Sequence, residues 1–190
     1  MATSTPHPRN AAATREAILQ SAIHNFARAG YDGVGVRQIA HDAGVTAMLV
    51  NRYFGSKEGL FAEAVETAFA EPVFVPEGSD DLAADLVKAL VVKSGPRADA
   101  PPPFLIMLRS ASSPVAVTIV REAINRHVGA RLARQLDSSD RELRSEVLLS
   151  VISGVLMMRA VIGTRALRGA KAADIGAVLE PLIAGLIDAG

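Results

Sequence analysis

The sequence predicts an all-helical protein of about nine helices. Apolar residues recur at intervals of three and four over most of the 190 residues, which is the spacing of one face of an α-helix. The alternation with a period of two that is typical of a half-buried strand is absent from the sequence. Hydrophobic residues make up 49% of the chain and aromatic residues only 4%, so we expect a core of Ala, Val, Leu and Ile packed between helices.

The stretch Val36–Phe54 predicts two short helices joined by a tight turn. Ile39 and Ala43 share one face of the first helix. Gly44 follows where a helix end needs a residue with positive φ, which glycine adopts without steric cost, and Thr46 is an N-cap for the next helix. Such a pair forms a helix-turn-helix, whose second helix enters the major groove of DNA. The alternative is a corner in an unrelated helical protein.

Before this motif, the sequence predicts an arm and a long first helix. Residues 1–12 contain Thr, Ser and Pro without periodicity, so we expect a flexible arm. Arg9 within it either has no role or touches a phosphate or the minor groove. Apolar residues at helical spacing predict a helix from Thr14 to Ala29, which Gly30 ends. Gly35 then serves as a tolerable N-cap for the motif.

A fourth helix begins near Ser56, which caps its N-terminus, and Glu58 complements the helix dipole in the first turn. It ends before the segment Pro72–Ser79, where two prolines and a glycine break the helical pattern. We therefore predict a DNA-binding domain over residues 13–71, with a three-helix helix-turn-helix unit and the fourth helix. Residues 72–190 form a second helical domain for effector binding and dimerisation.

The second domain contains about five further helices. Hydroxyl and carboxylate side chains ahead of apolar runs mark their N-termini, and Pro114 occupies a first helical position, where its missing N–H is not needed. Counted with their caps, the predicted helices run from Ser79 to about Ser94, Phe104 to about Ser110, Ser113 to about Leu136, Ser139 to about Ile162 and Ala173 to about Ala189.

The last two of these helices predict dimerisation. The stretch Val147–Val161 is apolar almost all the way round, and a helix of that kind is buried on every side. A domain of this size has difficulty burying it alone, whereas two helices from each of two chains form a four-helix bundle. A purely intrachain core is the alternative. The longest uncharged apolar run, Val147–Met158, is shorter than the roughly 20 residues that span a bilayer, so no membrane partner is expected.

Directly after the motif comes Gly55–Phe61, and here the sequence resembles the tetracycline-repressor (TetR) family of bacterial transcriptional regulators. The likeness extends from Thr14 to about Val65. It is carried by Arg15–Leu19, Phe26–Tyr31, Ile39–Ala40, Ala43–Val45 and Tyr53–Leu60. It implies a cytoplasmic homodimer, joined through its last two helices, that represses transcription at an inverted-repeat operator and is released by a small-molecule effector.

The resemblance also implies which residues touch DNA. Carried over position by position, the family's contacts fall on Arg37, Thr46, Ala47, Met48, Asn51, Tyr53 and Lys57. Many family members have tyrosine where this chain has Asn51, and an asparagine is able to bond N6 and N7 of adenine. We therefore expect Asn51 to read a base, and Tyr53 and Lys57 to contact phosphates, which fix register rather than sequence.

For the effector site the sequence offers candidates only. The candidate wall residues are Phe104, Met107, Met157 and Met158. Methionine deforms to fit varied apolar ligands, but each of these residues taken singly fits an ordinary core equally well. Arg159 is a charge on an otherwise apolar helix. We expect it to pair with Glu180 or another acid, and otherwise to anchor an anionic ligand.

Charge and motif content narrow the function classes. The net charge is zero, but up to Lys57 six basic residues outnumber three acidic ones, which is the electrostatic footprint expected at a DNA-binding face. The absence of cysteine excludes disulfides and fits a reducing cytoplasm. The four histidines have no partner at metal-ligand spacing, and nucleophile and phosphate-loop motifs are absent from the sequence. We therefore predict no cofactor, no metal and no enzymatic activity.

Two other function classes stay open beside the regulator. One is an architectural DNA-binding protein without a ligand, and the other is an enzyme on a helical scaffold. The expected partners are operator DNA, a second copy of the chain and a small-molecule effector of unknown identity.

Overall fold

The computed structural model describes residues 8–73, 78–95 and 98–188, with side chains described from residue 11 onward. Within those ranges all regular structure is helical, which confirms the predicted all-α class. The helices are α1 (Pro8–Ala29), α2 (Val36–Asp42), α3 (Ala47–Phe54), α4 (Lys57–Ala70), α5 (Leu82–Lys93), α6 (Pro102–Ser110), α7 (Pro114–Ala123), α8 (Ala130–Ala133), α9 (Arg141–Leu156), α10 (Arg165–Gly169) and α11 (Ala172–Asp188). Two π-helical turns continue α7 and α9, over Ile124–Gly129 and Met157–Val161.

Several helix ends have the capping chemistry that the sequence predicts. Ser56 Oγ accepts a hydrogen bond from the backbone N–H of Gly59 at 3.0 Å at the start of α4. The Asp81 carboxylate accepts one from the N–H of Ala84, also at 3.0 Å, at the start of α5. Each bond satisfies an amide that the first helical turn leaves without a partner.

Helix α1 begins at Pro8 rather than at Thr14, where the sequence predicted its start. Residues 8–12, assigned to the flexible arm from the sequence, are helical. Two physical reasons were overlooked: alanine has the highest helix propensity and fills residues 11–13, and proline suits a first helical position. Residues 1–7 and the side chain of Arg9 lie outside the described residues.

Two of the later helices are interrupted by π-helical turns that the sequence did not predict. The helix expected to reach Leu136 consists of α7, a π-helical turn and α8, and it ends at Ala133. The helix expected to reach Ile162 is α9 followed by a π-helical turn that ends at Val161. The five-residue α10 was not predicted, because a helix that short has no apolar periodicity to detect.

The described helices divide into two compact units. The first holds α1 to α3, α4 as far as Ala68, α6, and α7 as far as Arg121. Its core lies between α1, α2, α3 and α4, where Ile18, Phe26, Ile39, Val50 and Phe61 are buried. Phe26 and Phe61 meet edge to face, with ring centroids 4.9 Å apart.

Within this unit, the C-terminus of α1 is joined to α6. Gly30 has a φ of +72°, and a Cβ atom added there would collide with the backbone carbonyl of Arg109. The Arg109 guanidinium donates to the carbonyl of Ala27, and Ser110 Oγ accepts from the N–H of Tyr31 at 3.1 Å. Glycine is therefore required at position 30 both for its conformation and for the close approach of two backbones.

The second unit holds the last residues of α4, α5, the end of α7, and α8 to α11. Leu86, Leu90, Leu148, Leu156 and Ile183 are buried at its centre, where α5, α9 and α11 pack together. Arg131 on α8 donates to the carbonyl of Ala70, the last residue of α4, at 3.0 Å. The unit boundaries differ from residues 13–71 and 72–190 by α6 and most of α7. The functional division between those two ranges stays a prediction.

Among the described residues, no helix combines the length and the apolar character needed to cross a membrane. Residues 74–77 of the Pro72–Ser79 segment lie outside the described ranges.

Candidate nucleic-acid interface

The first motif helix, α2, is fastened to α1 by a network of polar side chains. Asn25 on α1 is buried, and its Nδ2 donates to Oδ2 of Asp42 at 2.9 Å. Gln38 Nε2 donates to the other carboxylate oxygen at 2.7 Å, and Ser21 Oγ donates to the carbonyl of Ile39 at 2.9 Å. Because each of these bonds joins α1 to α2 or lies within α2, the network fixes the angle at which the motif begins.

The hydrogen bond from Asn25 holds the pKa of Asp42 below its usual range, with a smaller contribution from His41, whose Nδ1 lies 3.3 Å from the carboxylate. A carboxylate that accepts hydrogen bonds is stabilised in its charged form. Asp42 is therefore ionised near neutral pH, where its carboxylate accepts the hydrogen bonds from Asn25 and Gln38.

The turn between α2 and α3 has the predicted geometry. Gly44 has a φ of +69°, and the N–H of Val45 donates to the carbonyl of Ala40 at 2.9 Å. Thr46 is the N-cap of α3, where its Oγ1 accepts a long hydrogen bond of 3.4 Å from the N–H of Leu49. The hydroxyl proton of Thr46 stays free to donate, for example to a phosphate oxygen.

The second motif helix, α3, buries one side and exposes the other. Val50 and Phe54 are buried, and the Arg15 guanidinium lies 4.9 Å from the centroid of the Phe54 ring. On the opposite side Met48 is 81% exposed, beside the exposed side chains of Asn51 and Arg52. Within the described part of the chain the side chains of Asn51 and Arg52 have no hydrogen-bond or ion-pair partner. This side of α3 is therefore available to an external ligand.

Polar groups flank this exposed side. The Tyr53 ring lies beside Phe54, with centroids 6.4 Å apart, and Arg37 is exposed on α2. Lys57 begins α4, and its ammonium lies 4.5 Å from the centroid of the Tyr31 ring. Burial raises the pKa of Tyr31, and nearby Glu58 and Asp32 raise it further, so the ring stays neutral beneath the cation. The contact holds the Lys57 side chain over the Tyr31 ring at the start of α4.

The predicted DNA contacts lie on α2, on α3 and its N-cap, and at the start of α4. Thr46, Met48 and Asn51 are exposed, and Ala47 is half-buried. Their contact with DNA stays a prediction. Arg52 was not among the predicted contacts, although it follows Met48 by four residues and so lies on the same helical face.

The predicted effector-site residues fall into both units. Phe104, which is buried, and Met107, which is half-buried, lie on α6 in the first unit. Met157 and Met158, which are 39% and 38% exposed, lie in the second unit. Their role in binding an effector stays a prediction.

The prediction that Arg159 pairs with Glu180 or another acid is wrong. Arg159 is buried, its Nη1 donates to the carbonyl of Val91 and to Ser94 Oγ, each at 3.0 Å, and its Nε donates to the carbonyl of Leu167 at 3.2 Å. Val91 lies in the last turn of α5, and Leu167 lies near the C-terminus of α10. Carbonyls at helix C-termini carry partial negative charge, so they compensate the guanidinium in place of a carboxylate.

In the part of the chain that the structure describes, no three His, Asp or Glu side chains lie close enough together to hold a metal ion.

A helix-turn-helix whose second helix buries one side and exposes the other is the architecture of a DNA-binding domain. Residues 18–64 match the family described as "Bacterial regulatory proteins, tetR family", and residues 80–187 match "Tetracyclin repressor-like, C-terminal domain". The chain belongs to the TetR family, as its sequence indicated.

Known relatives agree with this assignment. The HTH-type transcriptional regulator BetI of Agrobacterium fabrum is 35% identical over 83 residues, which are 44% of this chain and 35% of BetI. The chain spans only 20–39% of the curated relatives that it matches.

Solved structures share the fold along nearly the whole chain. The TetR-family regulator SCO0857 of Streptomyces coelicolor has a TM-score of 0.56 at 26% identity, covering 98% of this chain and 99% of its own. The multidrug binding protein EbrR, solved with ethidium, has a TM-score of 0.66 at 21% identity, covering 92% of this chain and 98% of its own.

Proposed function

We propose that this protein is a repressor that binds an inverted-repeat operator as a homodimer and leaves it when a small-molecule effector binds. The observation that carries the proposal is the exposed side of α3. Its polar side chains Asn51 and Arg52 have no partner in the described chain, and the large apolar side chain of Met48 is 81% exposed beside them. A helix with such a side that is not required by its own core suits the major groove.

The contacts divide into two kinds. Asn51 pairs with an adenine through N6 and N7, a bidentate contact worth about 1–3 kcal/mol of discrimination. Arg37, which is exposed, and Tyr53 and Lys57, which are half-buried, contact phosphates, which orient the protein on the duplex. Thr46 adds a hydroxyl donor at the N-terminus of α3, and the small side chain of Ala47 permits close approach to the bases.

The homodimer is supported by an apolar stripe on the second unit. Its exposed side chains on α9 and the following π-helical turn are Leu143, Val147, Met157, Met158 and Val161. Ser150 and Gly154 are also exposed, at intervals of three or four from these residues, so all seven lie along one side of the helix. On α11, Val178 is 72% exposed and Leu182 is 50% exposed. Burying the α9 and α11 stripes against a second copy removes this apolar surface from water.

A two-fold dimer carries two copies of α3. The operator then contains two half-sites in inverted orientation, with centres about one helical turn, roughly 34–36 Å, or somewhat more apart. The symmetry of the protein thus fixes the symmetry of the DNA sequence.

The effector acts through α4. This helix begins beside the recognition helix and ends in the second unit, where Arg131 binds the carbonyl of Ala70. A ligand that favours one position of α4 changes DNA affinity only by its differential affinity for the two conformations. Typical coupling of about 1–3 kcal/mol corresponds to operator binding weakened about 5- to 150-fold. The ethidium complex of EbrR supports a small-molecule effector for a protein of this fold.

The protein acts in the cytoplasm and has no enzymatic role in this proposal. The test begins with selection from random DNA duplexes, followed by hydroxyl-radical footprinting of the enriched site. We expect an inverted repeat, two symmetrically protected patches and two chains per site in sedimentation. An asymmetric single half-site, or one chain per site, contradicts the homodimer.

The effector is found by screening small molecules for a rise in melting temperature. Each hit is then titrated by calorimetry with and without operator. Reciprocity requires operator to weaken ligand binding by the factor by which ligand weakens operator binding. Equal ligand affinity in both conditions contradicts induction and favours the architectural alternative.

A further inference from the structure

Two side chains, Met48 and Arg52, form the outermost line of α3. Successive residues of a helix are about 100° apart, so Arg52 lies nearly opposite the mean direction of Val50 and Phe54, which are buried. Met48 lies about 40° from Arg52, whereas Asn51 and Tyr53 lie about 100° away on either flank. Of these two residues, Met48 is among the DNA contacts that the family resemblance implies, and Arg52 is not.

Arg52 differs from Arg15 and Lys57, two other basic side chains around the motif. Arg15 forms an ion pair with Glu63 and lies over the Phe54 ring, and Lys57 lies over the Tyr31 ring. Arg52 is exposed and makes no ion pair, hydrogen bond or ring contact with the described chain. All five of its guanidinium N–H donors are free for an external acceptor.

From this placement we infer that Arg52 reads a guanine and Met48 contacts the methyl group of a thymine in each half-site. The inference rests on the proposed function and adds two specificity-determining positions to it. A guanidinium fork matches O6 and N7 of guanine on the major-groove edge, and phosphates offer no sequence information. The Met48 side chain is apolar and deformable, which suits the C5-methyl group of thymine.

Helix geometry gives the spacing between the two bases. Four residues separate Met48 from Arg52, which corresponds to about 6 Å along the axis of α3. Stacked bases on one strand are about 3.4 Å apart. If α3 follows the groove, the thymine and the guanine are about two base pairs apart. The arginine side chain is long enough to reach a guanine one base pair further away.

Basic residues outside α3 account for phosphate contacts without Arg52. A helix in the groove turns its outward line to the base edges, and residues on neighbouring helices meet the walls of the groove, where phosphates lie. Arg37 is on α2, which packs against α3, and Lys57 is the first residue of α4, so neither is on the outward line of α3. Arg37 is exposed and has no partner in the described chain, so it is the matched control for Arg52.

The experiment combines protein variants that lack one side chain with DNA duplexes that lack one atom or group of a base. Duplexes selected by the wild-type protein give the half-site sequence. Each guanine in it is then replaced by 7-deazaguanine, which lacks N7, and each thymine by uracil, which lacks the methyl group. Affinities are measured for wild type, Arg52→Ala, Arg37→Ala and Met48→Ala. Melting temperatures check that the three exposed substitutions leave the fold intact.

We expect one guanine position at which 7-deazaguanine weakens binding by wild type and Arg37→Ala but not by Arg52→Ala. Replacing that guanine by another base weakens wild-type binding about 5- to 150-fold. Uracil at one thymine, about two base pairs away, weakens wild-type binding a few-fold and leaves Met48→Ala unchanged.

Two results overturn the inference while the proposed function stands. One is an enriched inverted repeat with no fixed guanine in the half-site. The other is an Arg52→Ala protein that loses affinity equally for every duplex, with a shallower salt dependence, as a lost phosphate contact requires. Enrichment of no sequence by the wild-type protein overturns the proposed function together with the inference.

Discussion

The dimer interface is tested by shortening one exposed side chain on α11. Val178→Ala removes two methyl groups, worth about 1.6 kcal/mol when fully buried at about 0.8 kcal/mol each. Val178 is 72% exposed in the single chain, so dimerisation buries at most that fraction, about 1.2 kcal/mol per chain by the same measure. A two-fold interface contains the residue twice, which gives about 2.3 kcal/mol, or a dimer Kd raised roughly 40-fold.

Val92→Ala is the matched control for this substitution. Val92 is the same residue type, is 64% exposed and lies on α5, so it is not part of the apolar stripe on α9 and α11. Sedimentation equilibrium measures both variants, and circular dichroism checks that the helices persist. We expect Val92→Ala to dimerise like the wild type. Equal dimer Kd values for Val178→Ala and the wild type, or an equal loss in both variants, would refute the assignment of the interface.

Three further substitutions test other parts of the structure. Gly30→Ala and Gly44→Ala both force alanine into a left-handed conformation, which costs about 1–2 kcal/mol, but only the first also meets the Arg109 carbonyl. Thermal unfolding should therefore show the larger loss for Gly30→Ala, and equal losses would contradict the contact between α1 and α6. The hydrogen bond from Asn25 lowers the pKa of Asp42 in the folded protein. The ionised Asp42 carboxylate therefore stabilises the fold fully above about pH 5, and this contribution is lost as the pH falls through the folded pKa. Between about pH 5 and pH 2 the wild type should thus lose more stability than Asp42→Asn, and parallel denaturation curves at every pH would count against the network. Arg159→Met leaves two buried acceptors and one part-buried acceptor without their donor and should cost about 1.5–3 kcal/mol, whereas Arg165→Met on the exposed face of α10 should cost little. Unchanged unfolding of Arg159→Met would favour the role of Arg159 as an anion anchor.

The sequence predicts best where a local chemical rule decides the structure. Gly44, Thr46 and Ser56 each do what their type and position indicate, because a positive φ or an orphan amide at a helix end has few solutions. The start of α1 was misplaced because residues 1–12 were weighed by their prolines and hydroxyls rather than by the alanines that follow.

Contacts distant in sequence were beyond prediction. Asn25 and Asp42 look like exposed polar residues in a helical pattern, and only the packing of α1 against α2 shows that they meet. Arg159 was expected to find a carboxylate because a buried charge needs compensation. The structure supplies that compensation from helix C-termini, which no pattern in the sequence marks.

The most direct test of the central claim compares Asn51→Ala with Lys57→Ala on a panel of single-base operator variants. If the exposed side of α3 reads bases and the start of α4 touches phosphate, Asn51→Ala loses discrimination at one base pair, by about 1–3 kcal/mol, and keeps the rest of the ranking. Lys57→Ala weakens binding to every variant by the same factor and preserves the ranking. An unchanged ranking for Asn51→Ala, or a base-specific change for Lys57→Ala, would contradict the account.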